Sequence, residues 1–458
     1  MQPIPLSENL AERALSISSC DLTVPMIEAA KVAISDTIGV TLLGATSDTA
    51  LIARGTVSTT SDDTGASILA THYRANPIDT AFANGVAGHA LDYDDFTEIL
   101  GGHPSVPLLP AIMATAEVEQ SSGLDLILAY VVGVEIETRI ARGVHFHHYE
   151  KGWHPTSTLG IFGATVGCAR LMHLDTPTTA QAIAIAASNA SGIKANFGTM
   201  TKPLHIGQCA RNGVLAATLA ARGFTANPRA LEAPQGFLNV YNGPGNYSIA
   251  AMLDRWFAPA LVEEPGISLK QFPCCGSIHP AISAALQLHH RHDLHATQIQ
   301  DIEILTHPRR LPHTNNPDPQ TALESKFSIQ YCVARALMDG AVTLAHFENS
   351  AWRAKTIIRL LDLTRVGVHP DMAPRESATF GAEVVVRLDS GERLQARVDN
   401  EPGRGPANPM SESERYAKFQ DCASRALPTK QISPLFNAIE SLERAQPINK
   451  VIQLARHL

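Results

Sequence analysis

From about Leu6 to Gly266, apolar residues recur at spacings of three and four, the period of helices that bury one face. Pro25 to Leu43 (PMIEAAKVAISDTIGVTLL) is the clearest run, and Asn76–His89, Leu108–Glu119, Asp125–Arg142 and Thr178–Ser191 behave alike. Many of these stretches carry Ala and Gly on the apolar face, which permits close helix–helix approach in a large bundle. No βαβ rhythm appears and no GxGxxG follows a strand, so a dinucleotide fold is disfavoured. The texture changes after Gly266. Ile302–Thr306 (IEILT) reads as a strand, and Ala382–Val398 as a hairpin turning at Asp389-Ser390-Gly391. Ser328–Leu337 and Val342–Phe347 look helical, Pro-rich loops fall at 308–319 and 401–409, and helix returns from Ser411 to Leu458. The pattern predicts a mainly α protein. A large all-helical domain is built from both chain ends (1–266 and 401–458), and a smaller α+β domain spans 267–400.

Composition narrows the class. With 45% hydrophobic and 17% charged residues in 458, a large core is available. A net charge of −8 and the lack of a basic stripe argue against nucleic acid or an acidic membrane surface as partner. Apolar runs such as Leu124–Val134 stop well short of the roughly 20 residues a membrane span needs. The N-terminal segment has no apolar core of a secretory leader. Seven cysteines without a metal-type CxxC pair fit reduced thiols in a cytoplasmic protein.

Four islands set ionisable residues among small ones: 89–107 (HALDYDDFTEILGGHPSVP), 151–160 (KGWHPTSTLG), 191–224 and 269–280 (LKQFPCCGSIHP). They read as one active site assembled from distant segments. Lys202 in TKPLHIG starts an Ala-rich helix, where the dipole lowers its proton affinity or makes it an anion clamp. Asp92, Asp94 and Asp95 are crowded, so burial should raise at least one of their pKa values. On a helix, Asp92 and Asp95 would share a face. His154 precedes Pro155 at a helix start, which favours the neutral imidazole a base or donor needs. His103 and Tyr149 are further proton-transfer candidates. Lys270 is placed to bind a carboxylate. Cys275 and Tyr331 carry a bland reading too, as a small buried hydrophobe and a core aromatic. The Asp/His set lacks the compact ligand spacing of metal motifs, so no metal is expected. The sum is an acid/base site without a cofactor, suited to proton abstraction next to a carboxylate.

DYDD with HPS, GWHPTSTLG, the GTMTKPLHIG…NG…AARGF run and KQFPCCGSIHP together resemble the MmgE/PrpD family, over about residues 6 to 450. That family includes 2-methylcitrate dehydratase, cis-aconitate decarboxylase and iminodisuccinate epimerase. The resemblance implies a helical domain from both chain ends with an α+β lid, no cofactor and a homodimer. It implies catalytic roles for Asp92, His103, His154 and Lys202, and substrate contacts from Lys270 and Tyr331. Two positions depart from the animal decarboxylase pattern. Cys275 stands where those enzymes have a histidine, and the Asp92–His103 segment is one residue longer, with Phe96 in place of a threonine. The expected function is a lyase on a small polycarboxylate, led by dehydration of a citrate-like acid. Epimerisation of an iminodisuccinate-like substrate and cis-aconitate-type decarboxylation are the alternatives, and a non-catalytic polycarboxylate-binding protein is the reading from another class.

Overall fold

The computed structural model describes residues 4–59, 65–373, 380–401 and 403–457. The first three residues of the expected helical domain, Pro402 of the expected Pro-rich loop and Leu458 of the helical tail lie outside that set. The described residues form two compact units, Met1–Leu269 with Ser411–Leu458, and Lys270–Met410. The second crossover thus falls ten residues later than the sequence pattern placed it.

The first unit is a helical bundle. Some of its helices start on side-chain caps: Thr23 accepts from the Met26 N–H ahead of Val24–Gly44, and Asn76 from the Asp79 N–H ahead of Pro77–His89. Ser105–Val118, Gly123–Val144, Gly160–Leu171, Thr176–Asn189 and Thr201–Ala221 follow. The last two helices of the tail named here, Glu412–Ala423 and Thr429–Glu440, pack on Val24–Gly44, and Phe419, Leu435, Phe436 and Ile439 enter the same core as Ile34, Ile38, Leu109 and Ile112. Burial of this apolar surface is what ties the chain ends together. One correction applies to the all-helical expectation: Ala66–Ser67 and Arg74–Ala75 pair as a short antiparallel ribbon.

The packing that matters for the site is between Pro77–His89 and Thr201–Ala221. A Cβ added to Gly207 would lie 2.4 Å from Val86 Cγ2 and 2.8 Å from the Phe82 carbonyl oxygen. Only glycine lets the backbones come this close. Lys202 pairs with Asp92 at one end while Gly85 faces Gly207 further along, so the helices run antiparallel. The C-terminal end of one therefore meets the N-terminal end of the other. Gly207→Ala is expected to cost about 1–3 kcal/mol of stability through overpacking, read as a thermal midpoint lower by several degrees. An unchanged midpoint would show that the helices separate freely.

The second unit is α+β. Its sheet runs in the order Thr364–Val368, Ile299–Thr306, Ala382–Leu388, Arg393–Val398. The expected hairpin is present, turning at Gly391 with φ +87°. Thr364–Val368 was not anticipated, and it pairs parallel to Ile299–Thr306, so this unit does contain a parallel crossover. Its short, half-exposed TRVGV segment lacks the alternation that marks a strand. The His279–Arg291 helix covers the sheet and packs on Ile329–Asp339. The segment expected to be helical at 342–347 is a 3-10 turn, Leu344–Phe347.

Candidate active site

Helix Pro77–His89 ends at His89, and the chain then turns sharply instead of continuing as a helix. Asp92 has φ +55°, a left-handed conformation that aspartate tolerates better than most residues. The expectation that Asp92 and Asp95 share a helical face is overturned by this turn. It sends the three carboxylates to three different partners.

Asp92 Oδ1 lies 2.6 Å from Lys202 Nζ and 3.7 Å from His103 Nε2. Lys202 stands in the first turn of Thr201–Ala221, with its ammonium 5.2 Å from the centre of the Phe197 ring. Asp94 is fully buried, and its Oδ2 lies 2.8 Å from His89 Nδ1 and 3.0 Å from His103 Nδ1. Burial pushes the Asp94 carboxyl up, but the two imidazoles outweigh it and hold the group well below the usual carboxylate range. Asp95 behaves in the opposite way. Burial, reinforced by the charges of Asp36 and Asp94, drives it well above that range despite a hydrogen bond from Ser105. Asp95 is thus the member of the trio whose charge is disfavoured, opposite to Asp94.

His103 Nδ1 also lies 2.6 Å from the Asp95 backbone carbonyl. A carbonyl oxygen only accepts, so Nδ1 carries the hydrogen. Nε2 is therefore the nitrogen that faces Asp92. The backbone N–H of His103 donates to Thr156 Oγ1, linking this loop to the short helix Pro155–Thr158 that His154 precedes. His154 is buried, its Nδ1 3.2 Å from His205 Nδ1 and its ring edge-on to Phe197. Burial, with nearby His89, Lys202, His103 and His205, lowers its pKa well below the ordinary histidine value, so it is neutral at pH 7.

Beneath the loop, Lys418 from the Glu412–Ala423 helix forms a buried ion pair with Asp36 at 2.6 Å. It also donates to the Tyr93 carbonyl at 3.1 Å and lies 4.1 Å from the centre of the Tyr93 ring. The Tyr149 ring lies 3.3 Å from the Lys194 ammonium. Lys270, Cys275 and Tyr331 belong to the second unit and are buried there. The Tyr331 hydroxyl donates to the His346 carbonyl and accepts from Arg335 Nε, so it is committed within that unit.

His89, Asp92, Asp94 and His103 each bring one potential ligand atom to within 4.8 Å of the others. Sequence spacing did not announce that convergence. Asp92 Oδ1 is held by an ammonium, and Asp94 Oδ2 accepts from His89 Nδ1 with His103 Nδ1 3.0 Å away, so a cation would compete for atoms already matched. His89, Asp94, His205 and Lys418 were left out of the expected site. The signal for His89 and His205 was present, since both lie inside the chemistry-rich islands.

Neutral buried histidines carry a pH signature. His89 and His148 are both pushed down to about 4 by burial. Their unfolded-state value is near 6.5, so between those limits the unfolded chain binds more protons and stability falls as pH falls. Their contribution is intact above about 6.5 and is lost progressively toward 4. His148 hydrogen-bonds Asn242 Oδ1 and Thr158 Oγ1 away from the carboxylates. His148→Asn should flatten the acid limb of a melting-temperature profile. An unchanged slope would remove His148 as a contributor.

These residues form a largely buried cluster of carboxylates and imidazoles with one ammonium. The chain belongs to the MmgE/PrpD family: the family's N-terminal domain matches residues 8–250 and its C-terminal domain residues 272–442. It is similar to human cis-aconitate decarboxylase, with 30% identity over 450 residues covering 96% of this chain and 92% of the relative. The mouse cis-aconitate decarboxylase is 30% identical over 401 residues, covering 84% and 79%. A cis-aconitate decarboxylase of Aspergillus terreus is 25% identical over 419 residues, covering 83% and 81%.

Proposed function

We propose that the protein is a lyase acting on a small polycarboxylate, moving a proton at the carbon next to a carboxylate. The observation that carries this reading is the Lys202–Asp92–His103 line. It sets an ammonium and the unprotonated Nε2 of an imidazole beside one carboxylate, with the neutral, buried His154 nearby. Removing a proton or carbon dioxide next to a carboxylate leaves an electron pair that spreads onto carboxylate oxygens. An ammonium already in place stabilises that charge without reorganising. In this reading Lys202 binds and stabilises the anion, and His103 Nε2 takes or gives the proton. Neutral His154 donates a hydrogen bond, and Asp92 keeps Lys202 and His103 in register. Tyr149 is a candidate second acid, while Lys270, Cys275 and Tyr331 are candidate substrate contacts on the strength of the family resemblance.

The relatives' names make cis-aconitate the first acid to test. Cys275 and Phe96, which depart from the decarboxylase pattern, favour dehydration of a citrate-like acid as the second reading. The same reading includes a homodimer in the cytoplasm that needs no metal. The free state of all seven cysteines supports the compartment.

Incubation with cis-aconitate, citrate-like and iminodisuccinate-like acids in deuterium oxide tests the reading. Carbon dioxide release with deuterium in the product marks a carboxy-lyase. Loss of water marks a hydro-lyase, and exchange with inversion an epimerase. Tight binding without exchange or product would make the protein a polycarboxylate binder instead. Activity is expected to survive exhaustive chelation and gel filtration. Recovery only on adding a divalent cation would reassign the His89, Asp92, Asp94 and His103 cluster to a metal.

A further inference from the structure

We propose that His89, acting through Asp94, is a positioning residue for His103, the inner member of a buried imidazole–carboxylate–imidazole relay. The inference deepens the acid/base reading and rests on it for its catalytic consequence. The geometry is specific. One oxygen, Asp94 Oδ2, lies 2.8 Å from His89 Nδ1 and 3.0 Å from His103 Nδ1, and the two rings meet edge to face with centroids 4.8 Å apart. His89 is 1% exposed and Asp94 0%.

An ionised carboxylate accepts hydrogen bonds and donates none, so His89 Nδ1 presents its N–H to Asp94 Oδ2, while the His103 Nδ1–H bonds the Asp95 carbonyl at 2.6 Å with Asp94 Oδ2 alongside at 3.0 Å. For His103 this fixes the tautomer: the hydrogen is on Nδ1, and Nε2 is left toward Asp92. The Asp95 carbonyl contributes to the same end, but a neutral carbonyl supplies no charge. Asp94 supplies it, and an imidazolium formed at His103 during proton transfer is stabilised by that carboxylate, the logic by which an aspartate supports the histidine of a serine-protease triad.

A buried carboxylate needs partners to remain ionised and in place. His89 provides one. The remaining polar atoms of the pair, His89 Nε2 and Asp94 Oδ1, are buried and have no hydrogen-bond partner among the described residues. Removing His89 would therefore leave Asp94 with His103 as its sole ring partner in the described structure. The carboxylate would be free to rotate or to take a proton, and the grip on Nδ1 would go with it. His89 stands at the last position of Pro77–His89, so the glycine-mediated packing of that helix sets where the relay begins.

The test compares His89→Leu, His89→Asn and Asp94→Asn with the wild type. Asparagine keeps an N–H near the position of Nδ1, whereas leucine removes it. The expected result is a kcat loss of about tenfold to hundredfold in His89→Leu, the range seen when an orienting partner of a working histidine is removed. KM should stay within about twofold, because Lys202 is untouched, and His89→Asn should recover most of kcat. Nitrogen-15 spectra of the His103 ring supply a readout independent of turnover: Nδ1–H in the wild type and His89→Asn, a tautomer mixture in His89→Leu and Asp94→Asn. A His89→Leu protein with wild-type kcat and an unchanged His103 tautomer overturns the proposal, as does a loss confined to KM. If His89→Leu does not fold, the Asp94→Asn and His89→Asn spectra decide it. Should the wild type turn over no polycarboxylate, the lyase reading fails, and the tautomer comparison still decides whether the relay exists.

Discussion

Lys202→Ala is expected to lower turnover by about two orders of magnitude or more, the usual cost of removing a group that stabilises developing charge, while the protein still folds. Lys202 pairs with Asp92 at 2.6 Å, but both side chains keep some solvent contact, at 14% and 18% exposure. Water can therefore take over part of what each loses, and the ion pair itself contributes little to stability. In the proposed reaction the ammonium carries the charge stabilisation, because it sits on Asp92 beside His103 and no other lysine of the described first unit is paired with Asp92 in the structure. Steady-state kinetics of Lys202→Ala and Lys202→Met, with circular dichroism melting as the folding control, check the expectation. Activity within a few fold of wild type in a folded variant would sink the assigned role.

Lys418→Met is the change expected to hurt stability most. The Lys418–Asp36 pair is buried, with side-chain exposures of 5% and 3%. Removing one member of such a pair strands the other charge, at a cost of about 3–5 kcal/mol. A second loss follows, because Lys418 also donates to the Tyr93 carbonyl in the middle of the Asp92–Asp95 loop. The variant should therefore lose activity at temperatures where it remains folded, since the loop no longer has its anchor. Asp36→Asn combined with Lys418→Met should regain much of the stability and little of the activity. Chemical denaturation of the two variants, with turnover measured below both transitions, separates the effects. If the double variant recovers both together, the loop does not depend on Lys418.

The helices were legible because their signals are local. Thr23 and Asn76 cap where a sequence reader would put a cap, and the three-to-four spacing of apolar residues persists through long runs. Lys202 and His154 were legible for the same reason, each lying at a helix start flanked by Pro and Gly. The loop after His89 was not. Asp92-Tyr93-Asp94-Asp95 is a run of weak helix formers, which hints that the helix stops but not how the chain then turns, and the left-handed turn at Asp92 is fixed by what packs around it. That turn is also what brings His89 and His103 onto the same Asp94 oxygen, so the relay could not be read from a spacing. Lys418 lies 325 residues from Tyr93, and no pattern in either segment announces the pairing. The Thr364–Val368 strand escaped because a neighbour, not its own alternation, makes it a strand.

The buttress beneath the Asp92–Asp95 loop has a consequence for how the molecule is made. Synthesis runs from the N-terminus, so Asp36 and the loop leave the ribosome long before Lys418. All of Lys270–Met410 is translated in between, an interval on the order of ten seconds at ordinary elongation rates. Throughout it the first unit leaves an uncovered face on Val24–Gly44, the face that Phe419 and Phe436 later fill. That face stays open until the tail arrives. A Ser411–Leu458 peptide supplied to ribosome-bound chains arrested before Ser411 is expected to cover it early, read as slower limited proteolysis of the first unit, and unchanged proteolysis would show that the tail is not what closes it.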